Sequence, residues 1–579
     1  MKVAVLMSGN EDLKVWSKVF LCNEELAHFC IFQNWSKMKF FYPRFLFFIL
    51  AITSNTIHAQ NKAIDVLHYR FEISLNDSNN IIHGNTGISF LVKQPATMVY
   101  FDLKDLNNST GKGMKVLQVS EGNKELKFTQ DNDHVTIYFD EELTLNEQKK
   151  IHISYAGVPA DGLIIGTSKF KSRTFFADNW PNRAHNWIPC NDHPLDKATV
   201  DFIVTAPDHY QVIANGILVE ETNLRDHLKL THWKEDLVLP TKVMVVGVAD
   251  FAVQLVTDIN CIPVTSWVFP ENRDSGFAQY AIAKNILPFY INYIGPYPFH
   301  KLANVQSKTM FGGMENAGNI FYYENSVITG PATQKESIAR EALFAHEIAH
   351  QWFGDEASEK DWQHLWLSEG FATYMTHLYL EYRYGTGNLK AGMQLDRDKV
   401  IAFYKKRKTP VVDTSSSKDL MQLLNANSYQ KGSWVLHILR RKLGDQVFQK
   451  GIQTYYEDYK GKNASTDDFR QVMEKVSNQN LNIFFKQWLY TAGQPVLQGK
   501  WKYNAGKKLL TIKMEQTQDY LFQFPLQIAI HGSNQTILKT VDFKNRSISM
   551  NVPLNFKPES IVLDPLVNLL FEGNIEEEK

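Results

Sequence analysis

Cysteine is scarce in this chain. Four occur in 579 residues, and two of them stand before residue 60. A scaffold built on disulfides is therefore excluded. Cys190 and Cys261 are left, either to pair with each other or to stay free. An excess of charge of one sign is also missing, since 61 basic residues face 62 acidic ones. No basic stripe with interleaved aromatics appears, which argues against nucleic acid as a partner. There is no internal repeat and no low-complexity tract, so solenoids and disordered arrays drop out. The apolar run Phe45 to Ile52 is too short to cross a bilayer as a helix.

What remains is the profile of a large folded enzyme. The chain is 44% hydrophobic, enough to bury more than one core. The segment "MKFFYPRFLFFILAITSNTIHAQ", residues 38–60, carries basic residues, then the apolar run, then small residues ending at Ala59. This order predicts a signal peptide over 38–59 and export to the periplasm or the cell exterior, with no membrane span left after cleavage. No cysteine follows the run, which argues against a lipid anchor. A signal peptide should open a protein, so residues 1–37 read as an upstream extension that is not native, with Met38 as the true start, or else as a short tail of unknown role.

Periodicity divides the rest. Between 60 and 258 the apolar residues alternate by two, as in Tyr69, Phe71, Ile73 and Leu75, and again in Val135, Ile137 and Phe139. That stretch predicts a β domain. From 259 to 490 helical stripes dominate. From 491 to 579 alternation returns, with Leu510, Ile512 and Met514 on one strand and Phe522, Phe524, Leu526, Ile528 and Ile530 on another. That stretch predicts a small β-sandwich.

The chemistry concentrates in "ALFAHEIAHQWFGD", residues 342–355. Thr333 and Glu336 form a capping-box pattern just upstream, which predicts a helix through the motif. His346 and His350 stand four apart and so share one helix face. Two readings fit. The helix is amphipathic, with Ile338, Ala342, Leu343, Ala345, Ala349 and Trp352 as its buried stripe and the histidines merely packed. Alternatively, the two imidazoles grip one metal ion, with Glu347 placed as general base beside it.

A zinc site of this type needs a third protein ligand. Glu369 lies in a strongly apolar helical segment whose stripe, Leu365, Phe371, Met375, Leu378 and Tyr382, ends at Gly385. A carboxylate there is costly unless it is paired or bound to metal. The 18 residues 351–368 suffice for one helix to end and a second to return across it. His346, His350 and Glu369 would then hold one zinc ion per chain. Asp355 and Thr373 are the nearest candidates to accept or donate behind the ligands. His364 and His377 read as ordinary packed or surface histidines.

With these residues in hand a resemblance appears. "HEIAHQWFGD" and "WLSEGFATY", preceded by "GGMEN" at 312–316 and followed by "YQKG" at 429–432, resemble the gluzincin aminopeptidases, the family of aminopeptidase N and leukotriene hydrolase. The likeness runs from about residue 65 onward. It implies a multidomain α+β fold: an N-terminal β-saddle, a thermolysin-like helical catalytic domain and a C-terminal β-sandwich. It implies a zinc metalloprotease that hydrolyses the first peptide bond of substrates with a free N-terminus, which the signal peptide would make a secreted one. By matching position, Glu315 would hold the substrate's α-amino group and Tyr429 would hydrogen-bond the oxyanion. Gly312, Gly313 and Met314 would line the substrate strand, and Phe311 the first side-chain pocket, favouring apolar or aromatic residues. Alone, "GGMEN" reads as a plain turn and Tyr429 as core packing. The helical fourth domain of many members is expected to have no counterpart before Lys579.

One position departs from the family pattern. A glutamine or glutamate, a second amine anchor, usually stands nine residues before the proline of the Pro-Cys pair. Here that proline is Pro189 and the position is Trp180, within "FFADNWPNRAHNWIPCNDHP". Either Asp178, Asn179 or Asn182 takes over, or the second anchor is absent. Two other function classes stay in view: an epoxide hydrolase of the leukotriene hydrolase type, which shares "GGMEN", and a catalytically inactive peptide-binding relative. The chain says nothing of its oligomeric state.

Overall fold

The structure is a computed structural model that describes residues 62–415 and 419–578. The predicted extension 1–37 and signal peptide 38–59 lie outside the described residues.

The alternating N-terminal stretch folds as β-sheet, because each strand buries one face. Tyr69, Phe71, Ile73 and Leu75 are all at most 5% exposed. They lie on or just past Ile64–Ser74, at the centre of an eight-stranded sheet. That strand pairs antiparallel with Ile82–Val92 and parallel with Lys197–Pro207, where Phe71 faces Phe202. A separate four-stranded sheet contains Arg173–Ala177. Its chain leaves directly into the loop that holds Asp178 and Trp180.

The middle region opens with a five-stranded mixed sheet in the order Ala252–Ile259, Ile262–Val268, Leu302–Ser307, Asn319–Tyr323, Gly313–Met314. Its first strand starts before the predicted boundary at 258. Period-two alternation marks a strand but not the sheet it joins, here the one shared with Ile262–Val268. Gly313–Met314 is the edge strand and pairs only with Asn319–Tyr323 among the described residues.

Helices follow. Gln334–His350 starts at the predicted cap, with Thr333 accepting from the Glu336 amide and Glu336 reaching back to Thr333. Trp366–Tyr384 ends at Gly385, whose φ of 84° suits a glycine. Of its predicted stripe, Tyr382 is 69% exposed. It lies against the Phe289 ring, 5.0 Å between centroids, rather than in the core. Aromatic residues at helical spacing satisfy the pattern whether they face a core or a rim.

The C-terminal stretch forms a four-stranded and a three-stranded sheet, the predicted sandwich. Leu510, Ile512, Met514, Phe524, Leu526, Ile528 and Ile530 are buried between them. A buried ion pair, Arg397 to Asp564 at 2.6 Å, ties this domain to the helices. The same guanidinium lies over the rings of Trp434 and Phe571. Cys190 is buried, Cys261 is exposed, and both are free thiols. Among the described residues no helix is long and apolar enough to cross a membrane.

Candidate metal centre and substrate cleft

The first helix presents His346 and His350 near its C-terminal end, and the second presents Glu369 in its first turn. The two Nε2 atoms lie 3.1 Å apart. Glu369 Oε2 lies 3.4 Å from His346 Nε2 and 3.3 Å from His350 Nε2. These three atoms make a nearly equilateral triangle. A tetrahedral zinc ion with bonds of about 2.0–2.2 Å requires ligand separations of about 3.3–3.5 Å. All three residues are buried, so water does not compensate the crowding. Packing alone does not call for two imidazoles and a carboxylate to converge on one point, whereas metal ligation does.

The local field points the same way. Burial pulls the His350 imidazole down, yet Glu315, Glu369 and Glu347 outweigh it and push it up to about 10. Burial drives the Glu347 carboxyl well above its ordinary value, and raises Glu315 as well. Three carboxylates gathered around two imidazoles favour a bound cation. The residues present therefore fit a zinc ion.

The supporting partners differ from those expected. His350 Nδ1 lies 3.0 Å from Ser368 Oγ and 3.1 Å from the Phe353 carbonyl. Asp355 instead accepts from Gln351 Nε2 at 2.9 Å. Thr373 donates to the Glu369 carbonyl, one turn back on its own helix. Ser368 adjoins the third ligand in sequence, but a serine in a helix carries no signal for this role. His364 bonds Thr466 and His377 bonds Asp396, so neither joins the triangle.

In front of the triangle lies a cleft into which Glu347, Glu315 and Tyr429 also face. Phe311, Gly312, Gly313 and Met314 form one wall, and Trp180 and Leu424 complete it. Glu315 is 5% exposed and its Oε1 has no hydrogen-bond partner within the protein. A buried carboxylate oxygen left open is a place for a cationic ligand. Behind it, Gln351 holds the Glu315 backbone carbonyl. A buried pair, Lys242 with Glu359 at 2.5 Å, stands further back. Tyr429 sits in a wide turn, Asn427–Lys431, and its ring stacks on His346 at 6.0 Å. Burial, then the Glu369 carboxylate, holds its phenol well above the usual value, so it stays a donor.

Asp178 does not line this cleft. Its carboxylate is consumed by Arg183 Nη2 at 2.7 Å, by Thr309 Oγ1 at 3.1 Å and by the Met310 amide at 3.0 Å. It ties the 178–183 loop to the segment that leads into "GGMEN". Asn179 is also turned inward, donating to the carbonyls of Thr241 and Met244. Trp180 takes the place beside the cleft. Side-chain spacing along an irregular loop gives no periodicity from which this could be read.

Two helices that deliver a His-His-Glu triangle, with a glutamate beside it and a strand edge in front, fit the class of metallohydrolases. Comparison with known proteins gives the class its family. The Peptidase M1 N-terminal domain matches residues 66–243 and the Peptidase family M1 domain matches residues 278–488. The chain belongs to peptidase family M1. "Probable aminopeptidase 2" of Sulfurisphaera tokodaii is 28% identical over 453 residues, 74% of this chain and 55% of that protein. "Glutamyl aminopeptidase" of Bos taurus is 26% identical over 468 residues, 75% of this chain and 47% of that protein. "Aminopeptidase M1" of Arabidopsis thaliana is 30% identical over 339 residues, 56% of this chain and 37% of that protein. The chain spans about half the length of the first two of these relatives and less of the third.

Proposed function

We propose that the protein is a zinc-dependent aminopeptidase that removes the first residue of peptides bearing a free N-terminus. The observation that carries this reading is the open Oε1 of Glu315, buried in the same cleft as the His-His-Glu triangle. A fixed carboxylate there meets a terminal ammonium by charge-assisted hydrogen bonding. The names of the relatives support the reading, as all three are aminopeptidases.

In this proposal His346, His350 and Glu369 hold the zinc. When bound, zinc supplies a Lewis acid that activates water and polarises a carbonyl. Glu315 anchors the α-ammonium, and the free edge of Gly313–Met314 aligns the substrate backbone as an added strand. Glu347 takes the proton of the attacking water and returns it to the leaving nitrogen. The Tyr429 hydroxyl donates to the oxygen that gains negative charge, a contact commonly worth a few kcal/mol. Turnover of aminoacyl-coumarin substrates, abolished by a chelator and restored by zinc, is the test. A chelator-resistant activity, or none at all, would remove the proposal.

Export is part of the same proposal and rests on the segment 38–59. N-terminal sequencing of the protein from its native host should begin at Gln60. A mature chain that retains Met38 would contradict it.

A further inference from the structure

The cleft is rich in carboxylates and poor in free cations. Besides the His-His-Glu triangle, Glu347, Glu315 and Tyr429, the lining described is apolar or glycine, with Trp180, Phe311, Met314 and Leu424 as its apolar side chains. Trp180 is 2% exposed, which fixes its ring. It packs edge-on against Phe311 at 6.0 Å and against Trp362 at 5.8 Å. Trp180 and Phe311 both line the cleft that holds Glu315, and Trp362 packs against Trp180.

Among the described residues, two basic groups close to these rings, Arg183 and Lys242, are already occupied. The Arg183 guanidinium lies 6.0 Å from the centre of the Phe311 ring, but it donates to Asp178, to Asp161 and to the Trp180 carbonyl. Lys242 is paired with Glu359. Neither is free to receive an anionic side chain. An indole has a donor and no acceptor, so Trp180 cannot take a hydrogen bond from an ammonium. Its N–H has no acceptor in the protein.

Resting on the aminopeptidase reading, we propose that Trp180 is the specificity-determining residue. It selects large apolar first residues such as leucine, methionine and phenylalanine, and it excludes aspartate and glutamate. An acidic first side chain would be buried against aromatic rings, next to three carboxylates, with no free cationic side chain lining the cleft among the described residues. The acidic preference in the name of the bovine relative does not extend to this cleft.

The experiment compares tripeptides X-Ala-Ala, with X as Leu, Met, Phe, Asp or Glu, on the zinc-loaded full chain. Leu, Met and Phe should exceed Asp and Glu in kcat/KM by about 100-fold or more. Trp180→Phe should keep that ratio, because the wall stays apolar. Trp180→Arg, which adds a cation, should narrow it by about tenfold or more. Zinc content and the melting temperature confirm that each variant is folded. Glu within tenfold of Leu in the wild type, or a ratio unmoved by Trp180→Arg in a folded variant, would overturn the assignment while leaving the aminopeptidase intact. No turnover of any free-amine peptide would take both readings down.

Discussion

Gly313 and Glu347 stand so close that a Cβ on Gly313 would fall 2.3 Å from a carboxylate oxygen of Glu347 and 2.6 Å from its Cγ. The glycine is required by the neighbouring carboxylate, not by its own backbone. Gly312, one residue earlier, has only Leu343 nearby, at 3.9 Å. Gly313→Ala must push the buried Glu347 aside. The expected result is a loss of about 100-fold in kcat, in line with the sensitivity of placed catalytic groups to displacements of an ångström. Zinc content should be unchanged. Gly312→Ala should stay within a few-fold of wild type, and equal losses in the two variants would show that the contact with Glu347 is not the cause.

Glu369 closes a triangle that is otherwise two imidazoles. Glu369→Ala should lower the zinc content of the purified protein to about a tenth or less under mild dialysis, since outer partners alone shift metal affinity by 10–100-fold. The circular dichroism spectrum should be retained. A fully zinc-loaded Glu369→Ala protein, measured by atomic absorption, would take Glu369 out of the site.

Tyr429 is held against His346 by a turn that sequence periodicity does not reveal. Its proposed hydrogen bond strengthens only as charge develops on the substrate. Tyr429→Phe should therefore lower kcat by about 100-fold while KM moves by less than about threefold. A variant with wild-type kcat and a raised KM would place Tyr429 in substrate binding instead.

Much of the site was legible because its residues sit on helices. The four-residue spacing of His346 and His350 specifies a shared face, and the Thr333–Glu336 capping box dates the start of that helix to the residue. Glu369 could be read because a carboxylate in an apolar helix needs a partner. Strand alternation gave the β domains for the same reason: Phe71 and Ile512 each repeat a two-residue period that only a half-buried sheet satisfies. What stayed hidden lies where the chain is irregular. Asp178 and Trp180 are two residues apart on a loop, and nothing in their order says that Arg183 would consume the first. Ser368 behind His350 was invisible because its contact depends on how two helices cross. The strand Ala252–Ile259 was legible as a strand, but its membership of the second sheet depends on pairing with Ile262–Val268.

The central claim is that Glu315 binds a terminal ammonium and so restricts cleavage to the first bond. An unblocked leucine-led decapeptide and its N-acetylated twin, followed by mass spectrometry, test it most directly. A charge-assisted hydrogen bond is worth about 1.5–3 kcal/mol, so acetylation should cost about one to two decades in kcat/KM before any steric penalty. The wild type should shorten only the unblocked peptide, from its first residue, and Glu315→Ala should lose most of that discrimination. Equal cleavage of both peptides by the wild type, or fragments cut at internal bonds, would contradict the account.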